Sequence, residues 1–340
     1  MGSPVEVSYI DNGMKKISGQ RRPSAALFAL AILLAVLPPL QAAFEDSGFG
    51  ARPAGMGQAF TAIADDSNAP LYNPAGLVQV QWNEATAMYS DLFSGLTLYS
   101  GSAQTGGDQV SINQSYLAYV SKPTRLGSFG LSWANFNTTH LYREDSVALS
   151  YARNLGDFVP VLDNMLSLGV NLKYLRRGFT LDAQTVNDPV FSGGSTSSAM
   201  TGDVGLLYKP DGGMLEGWRF GLTAQNITQP NVGFQARDPV FLEWRLGFAY
   251  QNRLAPWIVP ALDFTRTHGV TGVNGGVETW LFHDALGLRA GGNTNEADAG
   301  ISYYQAITKK LGFRLDYSFS VPFYIQGTNG THRVQASVYF

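Results

Sequence analysis

From Asn83 to the end of the chain, apolar and polar residues alternate with a period of two. In Leu166 to Tyr174 one set is Leu166, Leu168, Val170, Leu172 and Tyr174, and the other is Ser167, Gly169, Asn171 and Lys173. Leu311 to Phe319 sets Leu311, Phe313, Leu315, Tyr317 and Phe319 against Gly312, Arg314, Asp316 and Ser318. The same division runs through Leu242 to Tyr250 and through the last segment, where Val334, Ala336, Val338 and Phe340 oppose Arg333, Gln335, Ser337 and Tyr339. The pattern predicts about fourteen strands, an even number as expected of bacterial transmembrane barrels. Their expected spans are 84–91, 110–121, 127–136, 144–154, 165–177, 197–209, 217–227, 240–252, 257–266, 271–282, 285–293, 297–307, 310–320 and 331–340. The ninth is the weakest, because Pro260 interrupts it.

A soluble sandwich also alternates. Three features favour a membrane barrel. The polar set is rich in Gly and small residues, as in a crowded lumen, and no charge falls on the apolar set of the strands quoted. A charge there would cost about 2–4 kcal/mol at mid-bilayer. The long connections 91–109, 178–196, 228–239 and 321–330 all fall at one end if both termini lie in the periplasm, with 156–164 as one longer exception at the other. Charged residues are only 14% of the chain and aromatics 12%, with 38 glycines, an unusual balance for a soluble domain. The chain ends in Val338-Tyr339-Phe340, and a terminal aromatic closing an alternating strand resembles the signal read by the barrel-assembly machinery.

One long apolar run exists, Ala25 to Leu37, preceded by Lys15, Lys16, Arg21 and Arg22 and followed by Pro38-Pro39 and Ala42-Ala43. It reads as a cleaved secretory signal, with Met14 as an alternative start. The expected organisation is a signal peptide over 1–42, an inner segment over 43–80 and a barrel over 81–340, located in the bacterial outer membrane. The net charge of -3 and the absence of a basic cluster exclude a nucleic-acid role. With no Cys, scattered histidines (His140, His268, His283, His332) and no phosphate-binding or nucleophile motif, the sequence predicts no enzyme, metal or cofactor. A rim pairing of His140 with Ser146 has no sequence support.

Residues 43–77 do not alternate. Gln58 to Ala64 is expected to form a short helix, broken by Asp65-Asp66-Ser67-Asn68, and Asn73-Pro74 to set a turn. The order Gly55-Met56-Gly57, Ala64-Asp65-Asp66 and Asn73-Pro74-Ala75-Gly76-Leu77 resembles the N-terminal signature of the long-chain fatty-acid transporter (FadL-type) barrels and the PorV/PorQ barrels of type IX secretion. Leu315 to Phe319, Gly327, Thr331-His332-Arg333 and Asn226-Ile227-Thr228-Gln229-Pro230 resemble the PorV/PorQ branch more closely. The resemblance implies a fourteen-strand barrel with an N-terminal hatch. It makes Gly55, Met56, Gly57, Phe60, Asp65, Asp66, Asn73, Pro74 and Ala75 the hatch or transport motif. Met56, Phe60, Leu71 and Tyr72 would then line a hydrophobic tunnel or form the hatch's own core.

Period two places Lys173, Asp203, Arg219, Glu243, Arg245, Asp263, Glu278, Arg289, Arg314, Asp316 and Arg333 in the lumen, where they are expected to form a salt-bridged network. The apolar loop residues Leu92, Phe93, Leu96, Leu98 and Tyr99 would capture a ligand or touch a partner, or simply extend the first two strands above the membrane. Passive transfer of a small, fatty-acid-like hydrophobic solute is the function these readings imply first. A docking barrel for secretion components, or a structural outer-membrane protein, is the alternative, and outer-membrane lipid is a partner in each.

Overall fold

The computed structural model describes residues 43–44, 48–96, 111–138, 141–159, 162, 165–183 and 185–340. The expected signal segment 1–42, the loop residues Leu98 and Tyr99, and His140 lie outside them. Fourteen antiparallel strands form one closed barrel in sequence order, with the first paired to the last. They are β1 (Glu84–Leu92), β2 (Ile112–Val120), β3 (Ser128–Thr138), β4 (Tyr142–Asn154), β5 (Leu166–Phe179), β6 (Thr196–Tyr208), β7 (Trp218–Gln225), β8 (Glu243–Tyr250), β9 (Ile258–Thr267), β10 (Val270–Leu281), β11 (Leu286–Asn293), β12 (Glu296–Thr308), β13 (Leu311–Pro322) and β14 (Thr331–Tyr339). Each expected strand has its counterpart. Pro260 sits in β9 just past the end of the β8–β9 ladder, which stops at Ala249 opposite Ala261, so its missing N–H costs that ladder nothing.

Alternation divides the wall into two faces. Leu172, Leu315, Trp244 and Val334 are exposed on the outside, whereas Asp316, Arg333, Gln335 and Asp263 are almost wholly buried inside. No described helix is long and apolar enough to cross a membrane; the strands span it. The long connections 93–111, 180–195, 226–242 and 323–330 share one end of the barrel with three tight ones, 139–141, 268–269 and 294–295. Where β7 is short the wall steps down. β6 pairs with β5 from Thr196 but with β7 only from Val204. Above that step the 226–242 connection turns inward, burying Val232 and Val240 against Leu175.

Residues 48–80 lie inside the barrel, against the inward faces of the strands. They contain two short helices, Ala51–Gly55 and Ala69–Tyr72, and a 3₁₀ turn at Pro74–Gln79. The expected helix at 58–64 is not there. Gln58 and Ala64 adopt positive φ (67° and 33°), and the N–H groups of Phe60 and Thr61 donate to the Asp263 carboxylate at 3.0 and 2.9 Å. The positive φ at Gln58 and Ala64 breaks the helical path on both sides of a single turn, in which Ala64 N–H meets Phe60 O at 2.9 Å, while Asp263 across the lumen fixes the backbone at Phe60 and Thr61.

Three glycine pairs, each directly opposed across neighbouring strands, receive the bends of this segment. Gly169 and Gly205 face Asn73 to Ala75, Gly221 and Gly247 face Thr61-Ala62, and Gly276 and Gly291 face Met56-Gly57. A Cβ on Gly169 would stand 2.2 Å from Ala75 N, and one on Gly276 2.3 Å from Met56 O. At Gly169, Gly221, Gly276 and Gly291 segment backbone therefore lies directly on wall backbone, which only glycine allows, whereas Gly205 receives the Asn73 side chain and the Pro74 ring. Gly276→Val and Gly291→Val are expected to unseat the segment, at about 1–3 kcal/mol of overpacking each. Chymotrypsin should then cut at Phe60 and Tyr72 in detergent-solubilised protein. Wild type and a Gly193→Val control, where an added Cβ meets nothing within 4 Å, should resist there.

Candidate functional site

The inner segment is tied to the wall by charge as well as by shape. Arg52 is the hub. Its guanidinium donates to both carboxylate oxygens of Glu278 on β10, at 2.8 and 2.7 Å. Its remaining nitrogen reaches Asp65 at 2.6 Å and Asp66 at 2.9 Å. Arg289 on β11 donates to Glu278 at 2.5 Å and bridges through the Ser302 hydroxyl to Asp316. Arg314 on β13 joins Asp316 at 2.8 Å to Asp66 at 3.0 Å and stands 3.5 Å from Glu84. Glu84, the first residue of β1, accepts from the N–H and hydroxyl of Ser67 at 3.0 and 2.9 Å. The network is continuous from β10 through β13 to β1, and the segment lies at its centre. Burial pushes the Asp66 carboxyl up, but Arg52 and Arg314 more than reverse this and hold it below its ordinary value.

Other lumen residues anchor the rest of the segment. Asn171 donates to Pro70 O at 2.8 Å and Gln225 to Leu71 O at 2.8 Å. Asn73 donates to Thr61 O and Leu206 O while its own oxygen caps Ala75 N, with Pro74 opening the 3₁₀ turn. Gln335 accepts from Ala51 N at 3.0 Å, and Tyr116 donates to Ser67 O at 2.8 Å. Lys173 is paired with Asp203 at 2.7 Å and with Asn226 at 2.6 Å. Glu243 is paired with Arg245 at 2.5 Å, Arg219 stands 3.6 Å from Asp65, and Arg333 donates to Ser320 at 2.8 Å.

Met56, Phe60 and Tyr72 are buried in one cluster with Ile63 and Leu77. Phe60 and Tyr72 meet edge to face at 5.6 Å. The Arg52 and Arg245 guanidiniums lie over their rings at 5.1 and 5.0 Å. Leu71 instead lines a cavity of about 110 Å³ on the long-loop side, with Phe44, Phe49, Leu175 and the polar groups of Glu144, Lys173, Asp203 and Glu243. The 226–242 connection reaches in beside it, where Arg177 pairs with Asp238 and lies 5.0 Å over Phe234. At the other end a second cavity, about 380 Å³, opens beneath the segment. Phe340 exchanges backbone hydrogen bonds with Asn83 at 2.9 and 3.1 Å and stacks on Tyr119 outside the barrel at 6.3 Å. Among the described residues no His, Asp or Glu cluster has the geometry of a metal site.

Sequence reasoning did not single out Arg52, Glu84 or the glycine pairs. Arg52 stands between Ala51 and Pro53 in a run of small residues, where a lone cation that must be buried is itself a signal. Glu84 falls on the inward parity of its strand and could have been found that way.

The sequence profile of the type IX secretion system membrane protein PorP/SprF matches residues 67–255, over half of the chain. The chain belongs to the PorP/SprF family. No curated protein is similar enough in sequence to match. Among solved structures the fold is similar to the toluene transporter TbuX of Ralstonia pickettii (TM-score 0.55, 14% identity, 87% of this chain and 98% of that one). It is similar also to a FadL homologue of Pseudomonas aeruginosa (0.53, 13%, 88% and 99%) and to the toluene transporter TodX of Pseudomonas putida (0.55, 13%, 87% and 98%). At such identities the likeness is one of fold. The family match is to PorP/SprF and does not show the PorV/PorQ branch that the short motifs resemble. Most of those motifs, Leu315 to Phe319, Gly327 and Thr331 to Arg333, lie beyond the matched span. In the first, Leu315 and Tyr317 face outward and Asp316 inward.

Removing Arg52 takes a buried partner from three carboxylates at once, leaving Glu278 to Arg289, Asp66 to Arg314 and Asp65 to Arg219. Arg52→Ala is expected to destabilise the protein by about 3–5 kcal/mol, and Arg52→Met with Glu278→Leu to recover part of that loss. Urea unfolding in micelles, followed by the heat-dependent gel shift of folded barrels, measures both. The Asp66 contribution is complete above the ordinary aspartate range and fades as the pH falls through its lowered value. Wild type should therefore lose stability on acidification more steeply than Asp66→Asn.

Proposed function

We propose that this protein is an outer-membrane barrel whose lumen is closed by residues 48–80, and that it serves type IX secretion as a docking component and not as an open pore. The seating of the segment carries this reading. Its backbone lies on three glycine pairs and its charges are locked to three strands, so unseating it would break packing, hydrogen bonds and buried ion pairs together. Family membership supports the secretion role. The reading includes export through a signal within 1–42, insertion by the barrel-assembly machinery with Phe340 as its cue, and a periplasmic position for the end that carries Glu84 and Tyr339. Gly55, Met56, Gly57, Phe60, Asp65, Asp66, Asn73, Pro74 and Ala75 act in it as closure residues.

A second reading, passage of a small hydrophobic solute, is favoured by the long-loop cavity with Phe44, Phe49, Leu71 and Leu175 on its lining. Within that reading an uncharged hydrocarbon fits better than a fatty acid. Lys173, the one cation on the lining among the described residues, is taken by Asp203 and Asn226, and Glu144 and Glu243 would repel a carboxylate.

Affinity capture of the tagged barrel from detergent-solubilised envelopes separates the two. The docking reading expects secretion components to come down with it and planar bilayers to show no stable conductance. Capture of the barrel alone, together with solute uptake that depends on its expression, would overturn it.

A further inference from the structure

The cavity beneath the segment has an unusual lining for the polar inside of a barrel. Trp82, Trp257, Trp280, Tyr304 and Tyr339 all border it. Three of these rings already have partners. Arg289 lies over Trp280 at 5.3 Å and Arg314 over Tyr339 at 5.5 Å, and Tyr304 meets Tyr339 edge to face at 5.7 Å. Trp82 and Trp257 have no ring or cation against them among the described residues, and they are 41% and 47% exposed. Indole faces open to water in a concave site suit a desolvated cation.

The charge on the lining has the matching sign. Five carboxylates (Asp65, Asp66, Glu84, Glu278, Asp284) stand against three guanidiniums (Arg52, Arg219, Arg314), an excess of two acids. Each guanidinium is engaged, Arg219 by Asp65 and by Gln251 at 2.6 Å. Asp284 forms no ion pair among the described residues and stands at the rim, in a turn whose three successive residues Phe282, His283 and Asp284 take positive φ of 54°, 58° and 65°. Backbone held in that region by three non-glycine residues is strained, and such strain collects where a fixed shape serves binding. The volume, about 380 Å³, is that of a small-ligand pocket and takes one or two side chains of a partner, not a folded domain.

We propose that this mouth binds a basic, extended peptide segment of a periplasmic protein, whose arginine or lysine side chains enter the cavity lined by Trp82 and Trp257 with Asp284 as counter-charge. The proposal rests on the docking reading above and names the chemistry of its partner.

The test is a tryptophan-fluorescence titration of the full chain in micelles with a tetra-arginine peptide, a tetra-glutamate peptide and a chitin oligosaccharide. Saturable binding of tetra-arginine alone is expected, weakened about tenfold or more in Trp257→Ala and in Asp284→Asn. The heat-dependent gel shift confirms that both variants are folded, and Val190→Ala on a long connection at the other end serves as control. Binding of the oligosaccharide in place of the cation, no binding of any probe, or cation binding that both variants retain would each overturn the proposal. If tetra-arginine binds as expected but no envelope protein is captured, the site stands and the docking reading falls. If capture is unaffected by Trp257→Ala and Asp284→Asn, the reverse holds.

Discussion

A barrel in a bilayer must pair every backbone group within its own wall, and closing fourteen strands to do so encloses more room than their inward side chains fill. The remainder of this structure answers that surplus. The inner segment fills it with backbone, at distances that leave no space for a Cβ on either member of a wall pair. Packing of this kind is specific in a way that side-chain filling is not, because sliding the segment by one residue would bring its side chains onto surfaces shaped for main chain. The small residues at Ala51, Ala54, Gly55, Gly57, Ala59, Ala62 and Ala64 are the other half of the same fit.

The ion pairs add position more than stability. Burying a guanidinium and a carboxylate costs several kcal/mol each before their attraction repays it. Their geometry makes the arrangement specific. Arg52 engages Glu278 through two parallel hydrogen bonds, which fixes the plane of the guanidinium as well as its place. The remaining nitrogen then holds the Asp65-Asp66 pair, and Arg314 reaches Asp66 from β13, three strands along the wall from Glu278 on β10. The segment is gripped by several strands of one arc of the cylinder.

The barrel was legible because alternation is a local property. Leu168, Val170 and Leu172 declare the lipid face in five residues, and a wrong register would put Lys173 into hydrocarbon. Strand ends were less legible. β7 stops at Gln225 because Asn226 turns at positive φ (57°) and donates its N–H to Asp203, a long-range contact that no local window contains. The inner segment was legible as a motif and illegible as a conformation. Its backbone takes its partners from Asp263, Asn171, Gln225 and Gln335, far along the chain, so the helix that local composition suggests at 58–64 loses to them. The inward parity of Glu278, Arg289, Arg314 and Asp316 could be read off the sequence, but that Glu278 is the one to meet Arg52 depends on closure of the whole ring.

Only residues 81–83 separate the inner segment from β1, and β1 itself is the strand that zips against β14 to complete the cylinder. On so short a tether the segment stays at the mouth of the barrel that β1 closes. Glu84, the first residue of that seam, also holds Ser67. One side chain thus joins the strand that completes the wall to the filling that occupies it.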